Sequence, residues 1–148
     1  MLAEDLLLAK RFDASSNNWQ NSEIRKWLNS NSNCDVGSDH TSETGFWQTA
    51  FDTISRKQLK TVSVDGIADS VFFLSQGELS TSAYGFAAAN GAFKGQERWD
   101  NGGSWCPSAP CSDSGKVMFV RYSRNEANWE GAVTEGRRGV VPAVCVAN

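Results

Sequence analysis

The sequence predicts an α+β domain, with two helices near the front of the chain and a small, mostly antiparallel sheet joined by long loops. Three observations lead there. Apolar residues recur at helical spacing twice in the first third of the chain, then in short strand-like runs. Six Trp and thirteen Gly beside only three Pro and one His describe a Trp-pinned, loop-rich fold, not a helical bundle. The 148 residues, with no visible repeat or linker, suffice for one compact domain and are too few for two ordinary ones.

Residues 6–9 (Leu-Leu-Leu-Ala) read as an opening strand, followed by a loop at Ser15-Ser16-Asn17-Asn18. Asn21-Ser22 offers a helix cap, and Ile24, Trp27 and Leu28 then fall at i, i+3 and i+4, one buried stripe with Arg25 and Lys26 outside it. Residues 29–45 are mostly Asn, Ser, Asp, Thr and Gly, a mobile loop or insertion. Phe46, Trp47, Ala50, Phe51 and Ile54 make a second helical stripe. Residues 60–64 alternate Thr61 and Ser63 with Val62 and Val64, as a half-buried strand does, and Asp65-Gly66 is a turn signal. Val71-Phe72-Phe73-Leu74 is apolar on both faces, a central strand or core segment. Residues 76–103 are rich in Gly, Ala and Ser, with a short helix expected near 78–84. The last two strands fall at 116–122 and 139–146, and Pro142 marks an edge or a bulge in the second.

Composition excludes several classes. Hydrophobic residues make up 40% and charged residues 21%, neither collagenous nor disordered. Fourteen Lys and Arg against seventeen Asp and Glu leave a net charge of −3, with no basic surplus for a phosphate backbone, so no nucleic-acid partner is expected. No apolar run approaches the roughly 18 residues that span a bilayer, so no membrane insertion is expected. Residues 6–9 are too short, and their flanks too acidic, for a signal peptide. One His and no Gly-x-Ser-x-Gly elbow argue against a serine hydrolase, and Gly91 to Gly95 lacks the Lys-Ser/Thr of a phosphate loop. Cys34, Cys106, Cys111 and Cys145 contain no Cys-x-x-Cys pair, and His40 is far from the later three, which weakens a zinc site; Cys145 reads as a small core residue. No cofactor is called for.

Two strings carry more than local structure. Asn17-Asn18-Trp19-Gln20-Asn21-Ser22-Glu23-Ile24-Arg25-Lys26-Trp27-Leu28-Asn29 is in physical terms a capped amphipathic helix stapled by a preceding Trp. It also resembles a string carried by a domain family of unknown function common in gut bacteria and their phages. Further landmarks of that family follow in order: Asp69-Ser70-Val71-Phe72-Phe73-Leu74-Ser75, a Gly-rich Trp segment, and Gly139-Val140-Val141-Pro142-Ala143-Val144. The resemblance covers about residues 5–147 and has two departures. Val141 stands where the family usually has Arg, and an extra strand ahead of Leu6 is missing, which implies a shortened version. Gly102-Gly103-Ser104-Trp105 reads as a structural turn with a Trp plug beneath it. The same string resembles the signature of the formylglycine-generating-enzyme branch of the C-type-lectin-like fold, which includes the variable proteins of diversity-generating retroelements.

That second resemblance implies a non-enzymatic ligand-binding module: a scaffold over 1–105, a variable ligand-binding region over 106–138 rewritten by adenine-directed mutagenesis, and a closing strand over 139–148. The segment gathers chemically unlike side chains (Phe119, Arg121, Tyr122, Arg124, Trp129, Glu130, Arg137), of types enriched at contact hot spots, where polar/apolar alternation would mark an ordinary strand. Changes at the adenines of Asn-type codons do not reach Lys, Glu, Met or Trp. By the resemblance, Lys116, Met118, Glu126, Trp129 and Glu130 are therefore fixed. Cys106, Ser108, Ala109, Ser112, Asp113, Phe119, Arg121, Tyr122, Ser123 and Arg124 are the candidate variable, ligand-contacting positions. The implied partner is a protein or cell-surface ligand, and the implied place of work a virion or cell surface.

Two other readings stand beside this one. Formylglycine-generating enzymes place two Cys after such a turn to bind copper and oxidise a substrate Cys, and Cys106 and Cys111 have that mutual spacing, so the resemblance also implies a small copper or redox enzyme whose two thiolates would hold a soft ion. The offset from the turn is one residue short, however, and the Arg-rich stretch that should follow is absent; a local disulfide stiffening the loop is the expected state. The remaining alternative is a structural surface domain with no dedicated ligand. A calcium lectin would want a Trp-Asn-Asp string, whereas here the order is Trp99-Asp100-Asn101.

Overall fold

A computed structural model describes residues 10–35, 42–75, 78, 103–121, 126–136, 139–140 and 142–147, with 35, 103–110, 120–121 and 126–129 described by their backbone alone. The strand expected at 6–9 and nearly all of the helix expected near 78–84 fall outside these residues. The architecture is α+β, with three short α-helices and four small antiparallel sheets among the described residues.

The first stripe folds as its spacing dictates. Asn18 caps a 3-10 turn over Trp19–Asn21, and Ser22 caps α1 (Glu23–Asn29) by accepting from the Arg25 N–H. Ile24, Trp27 and Leu28 are buried. Lys26 is exposed as expected, but Arg25 is not outside: its guanidinium pairs with the buried Asp69 carboxylate at 2.7 Å. The 29–45 segment is not all loop. Its ends pair as a two-stranded ribbon, β1 (Asn33–Asp35) with β2 (Ser42–Thr44).

The second stripe is broken in two. Phe51 adopts extended backbone after α2 (Phe46–Ala50), and the Asp52 side chain caps a new helix, α3 (Thr53–Lys57), by accepting from the Ser55 N–H. The break resets the helical phase. Phe46, Trp47 and Phe51 still pack against the core, whereas Ile54 is 70% exposed.

β3 (Leu59–Lys60) leads to a hairpin, β4 (Val62–Val64) with β5 (Ile67–Asp69). Asp65 and Gly66 form its turn with φ of 50° and 81°, the left-handed pair that a two-residue hairpin turn requires. Val71, Phe72 and Phe73 are buried, and β6 (Val71–Phe72) pairs with β10 (Ala143–Val146). β10 lies between β3 and β6, so among the described residues it is the middle strand of its sheet, and of the edge or bulge that Pro142 marked the edge does not hold. Pro142 stands just ahead of the first paired residue, Ala143, and removes no donor from the ladder.

The remaining sheet has the order β7-β8-β9, from Gly103–Pro110, Lys116–Arg121 and Glu126–Ala132. Gly103, Ser104 and Trp105 pair with Arg121, Val120 and Phe119, so the described part of the string read as a turn, residues 103–105, is strand. Between Trp105 and Pro110 the register shifts, where Pro107 interrupts an outer strand. One core cluster joins both parts of the chain: Phe12, Trp19, Ile24, Trp27, Leu28 and Val71 to Phe73 meet Val117, Phe119, Val133 and Val140.

Candidate functional site

The framework around α1 is fastened by side chains. Lys10, Arg11 and Asp69 are charged and buried, and each has an opposite charge in reach. Lys10 pairs with Glu43 and lies over the Trp27 ring, and Arg11 pairs with Glu23. Asp69 accepts from Arg25 and from the indole Nε1–H of Trp19 at 2.9 Å. The Asn29 side chain accepts from the Ser70 and Val71 N–H groups and donates to the Val71 carbonyl. Asp13 accepts from the N–H groups of Ser15, Ser16 and Glu23 and so fixes the approach to α1.

The β7-β8-β9 sheet meets this framework differently. The Phe12 and Asp13 N–H groups both donate to the Val133 carbonyl, at 2.9 and 3.1 Å. The Asn17 N–H donates to the Ser114 carbonyl at 2.8 Å, and its side-chain amide donates to the carbonyls of Cys111 (3.1 Å) and Asp113 (3.2 Å). On the sheet side every acceptor in these bonds is backbone. The other fastening is apolar: Val117 and Phe119 of β8 are buried, together with Val133 just past β9.

This produces the alternation that the sequence was read as lacking. Val117 and Phe119 face the core, while Lys116 is exposed and Met118 half-buried. Phe119 is therefore withdrawn from the ligand-contacting set. At 3% exposure it packs beside Gly131, where a Cβ would come within 3.2 Å of its ring. Glu130 is exposed opposite Met118, and the Lys116 ammonium lies 3.8 Å from Glu130 and 3.7 Å from Asp113. These pairs are about half exposed, so each contributes little to stability.

Of the other candidates, Ser112 and Asp113 are exposed on the connection from β7 to β8. Cys106, Ser108 and Ala109 lie on β7 and Arg121 at the end of β8, while Tyr122, Ser123 and Arg124 fall outside the described residues. Cys111 is a free, buried thiol, so the disulfide expected with Cys106 is not made. Burial and the Glu130 carboxylate beside it push the Cys111 thiol above its ordinary value, the wrong direction for a copper-binding thiolate. Cys145 packs against the core as a half-buried free thiol. No group of three or more His, Cys, Asp or Glu among the described residues could hold a metal ion, and none of the described helices is long and apolar enough to cross a membrane.

Sequence reasoning passed over Asn17, whose side-chain partners lie 94 and 96 positions away, beyond any local pattern. It also passed over Asp13, for which a signal existed: an Asp ahead of a short polar stretch, here Asp13-Ala14-Ser15-Ser16, closes a turn by accepting from backbone N–H groups two and three residues on.

The family model described as Domain of unknown function (DUF6273) matches residues 1–148, and the chain belongs to that family. No curated protein and no solved structure matches the chain.

Proposed function

We propose that this member of the family is a non-enzymatic binding module of the C-type-lectin-like fold, of the kind formed by the variable proteins of diversity-generating retroelements. Its β7-β8-β9 sheet and the connections of that sheet carry an exchangeable contact surface for a protein or cell-surface ligand. One observation supports this most: the sheet accepts its hydrogen bonds from the framework through backbone carbonyls, and its described apolar anchors all lie on one side. Side chains on the other side can change without removing a bond or an anchor, so recognition can vary over a constant fold. Surface substitutions of this kind shift stability by less than about 0.5 kcal/mol, and a rigid platform lowers the ordering cost of binding.

Two experiments test the reading. The DNA beside the coding sequence should hold a near-identical copy of its 3′ end that differs only at adenines, next to a reverse transcriptase gene; its absence removes the retroelement. Exchanging Ser112, Tyr122 and Arg124 together should change binding to host-cell surface extracts while leaving the melting temperature in place. Unchanged binding removes the recognition surface.

A further inference from the structure

We propose that Ile54, Leu59 and Val146, with Lys57 and Lys60, form a docking surface for an acidic segment of a partner protein, extended in conformation and carrying an aliphatic side chain among its carboxylates. This surface belongs to α3, β3 and β10 and does not depend on the reading of the β7-β8-β9 sheet.

One exposed aliphatic residue on a protein surface means little. Here the fold brings several to one junction. Ile54 is 70% exposed and Val146 40%, the large apolar side chains that stand out to solvent among the described residues. Val146 is the direct partner of the half-buried Leu59 across the β10–β3 ladder. The Ala147 N–H donates to the Gln58 carbonyl at 2.7 Å, which ties the end of β10 to the end of α3. Gln58 caps α3 in helical conformation and lies four residues on from Ile54, so the two share a face. Ile54 is thus one helical turn from the junction, and Val146 one residue from it.

The charge around the junction has one sign. From Thr53 to Val64 the chain holds Arg56, Lys57 and Lys60 and no carboxylate, although its net charge is −3. Arg56 is engaged internally. Its guanidinium donates to the carbonyls of Trp47 at 3.0 Å and Gln48 at 3.2 Å and lies over the Trp47 ring, which fastens α3 to α2. Lys57 and Lys60 are exposed, and neither forms an ion pair with any described residue. Among the described residues β3 is paired on one side alone, by β10, so its other edge offers backbone groups to an extended strand.

These features state the chemistry of the occupant: carboxylates for the two ammonium groups, an aliphatic side chain for Ile54 and Val146, and extended backbone for the β3 edge. A second copy presenting the same face would set lysine against lysine. An anionic lipid surface is held by clusters of roughly four to eight basic residues, more than Lys57 and Lys60 supply.

Fluorescence anisotropy with the full chain and a labelled octapeptide of alternating Glu and Leu tests this. The peptide should bind saturably, and more weakly as salt rises. An octapeptide of alternating Glu and Ser should bind about tenfold more weakly, and one of alternating Lys and Leu should not bind. Ile54→Ser and the double variant Lys57→Glu/Lys60→Glu should each weaken the Glu-Leu peptide about tenfold or more, with melting temperatures unchanged, since these side chains are exposed. No binding of the Glu-Leu peptide overturns the proposal, as does equal binding by the wild type and both variants. Equal binding of the Lys-Leu peptide also overturns it. Phosphatidylserine–phosphatidylcholine vesicles that bind the wild type and not Lys57→Glu/Lys60→Glu, while the peptide does not bind, replace the acidic segment with a membrane. Self-association in sedimentation that Ile54→Ser abolishes, again without peptide binding, replaces it with a second copy of the chain.

Discussion

The two halves of this molecule are held by different kinds of bond. From Lys10 to Phe73, side chains specify the structure: three ion pairs with at least one buried member, an indole on a buried carboxylate, and an Asn that bonds three backbone groups. From Gly103 to Ala132, the backbone ladder and a few inward apolar residues specify it. Removing one partner of a buried ion pair strands the other, whereas a ladder bond survives any side chain that tolerates extended backbone. The contrast teaches where sequence can vary: the framework is written in particular residues, and the sheet is written in their alternation.

The largest effect that tests this contrast lies at Asp69. Asp69→Ala leaves the Arg25 guanidinium and the Trp19 Nε1–H facing an apolar site, and should cost about 4 kcal/mol in urea unfolding. A loss below about 1 kcal/mol would mean that the framework is not held by its charges. Next comes a pair of neighbours within the sheet. Phe119→Ala empties a core position and should cost about 3 kcal/mol, while Met118→Ala, one residue earlier and half-buried, should cost less than about 1 kcal/mol. Equal losses in the two variants would erase the distinction between the faces of β8.

How far the sequence revealed this division depends on the range of each interaction. α1 was legible because its cap and stripe lie within one short window, and Asp65-Gly66 because the turn chemistry is local. Arg25 was misplaced because an outward position at helical spacing says nothing of a hairpin 44 residues later that delivers a buried carboxylate to it. The second stripe was read through Asp52, whose capping ability outranks continued periodicity. In the candidate site, Ser112 and Asp113 are exposed, whereas Phe119 is buried; the run Val117-Met118-Phe119-Val120 is apolar throughout, so no polar/apolar alternation in the sequence marked which of its residues face the core. Asn17 was invisible for want of any signal linking it to residues 111–114. No local pattern reports a contact across the whole chain.

A smaller effect probes how tightly the framework closes on itself. Gly45 is buried at the entry to α2, and a Cβ there would stand 2.2 Å from the Ser30 carbonyl oxygen. Backbone cannot swing aside as a long side chain can, so Gly45→Ala should cost about 2 kcal/mol by displacing the β1–β2 ribbon from α1. Thermal melts give the loss, and faster exchange at the Gly45 N–H, which donates to Ser32, gives its location. A neutral Gly45→Ala would show that the ribbon yields, and would place it with the tolerant parts of the chain.

The smallest expected effect is confined to α3 and depends on pH. Asp52 is exposed, and the hydrogen bond from the Ser55 N–H holds its carboxyl below the ordinary value of 3.8, with Arg56 adding attraction. A carboxyl whose folded pKa is depressed contributes above the unfolded value, and the contribution is lost as pH falls through the folded one. The α3 cap should therefore loosen at the acid end of a titration from about pH 5 to pH 2. Asn caps helices as well as Asp does but does not titrate, so Asp52→Asn should keep the helix and lose the pH dependence. Amide exchange at Ser55 and Arg56 measures both. If α3 loosens together with α1 in that range, the side-chain pins of the framework act as one unit; if it loosens alone, they are independent fastenings, and the framework's intolerance of change comes from each pin separately.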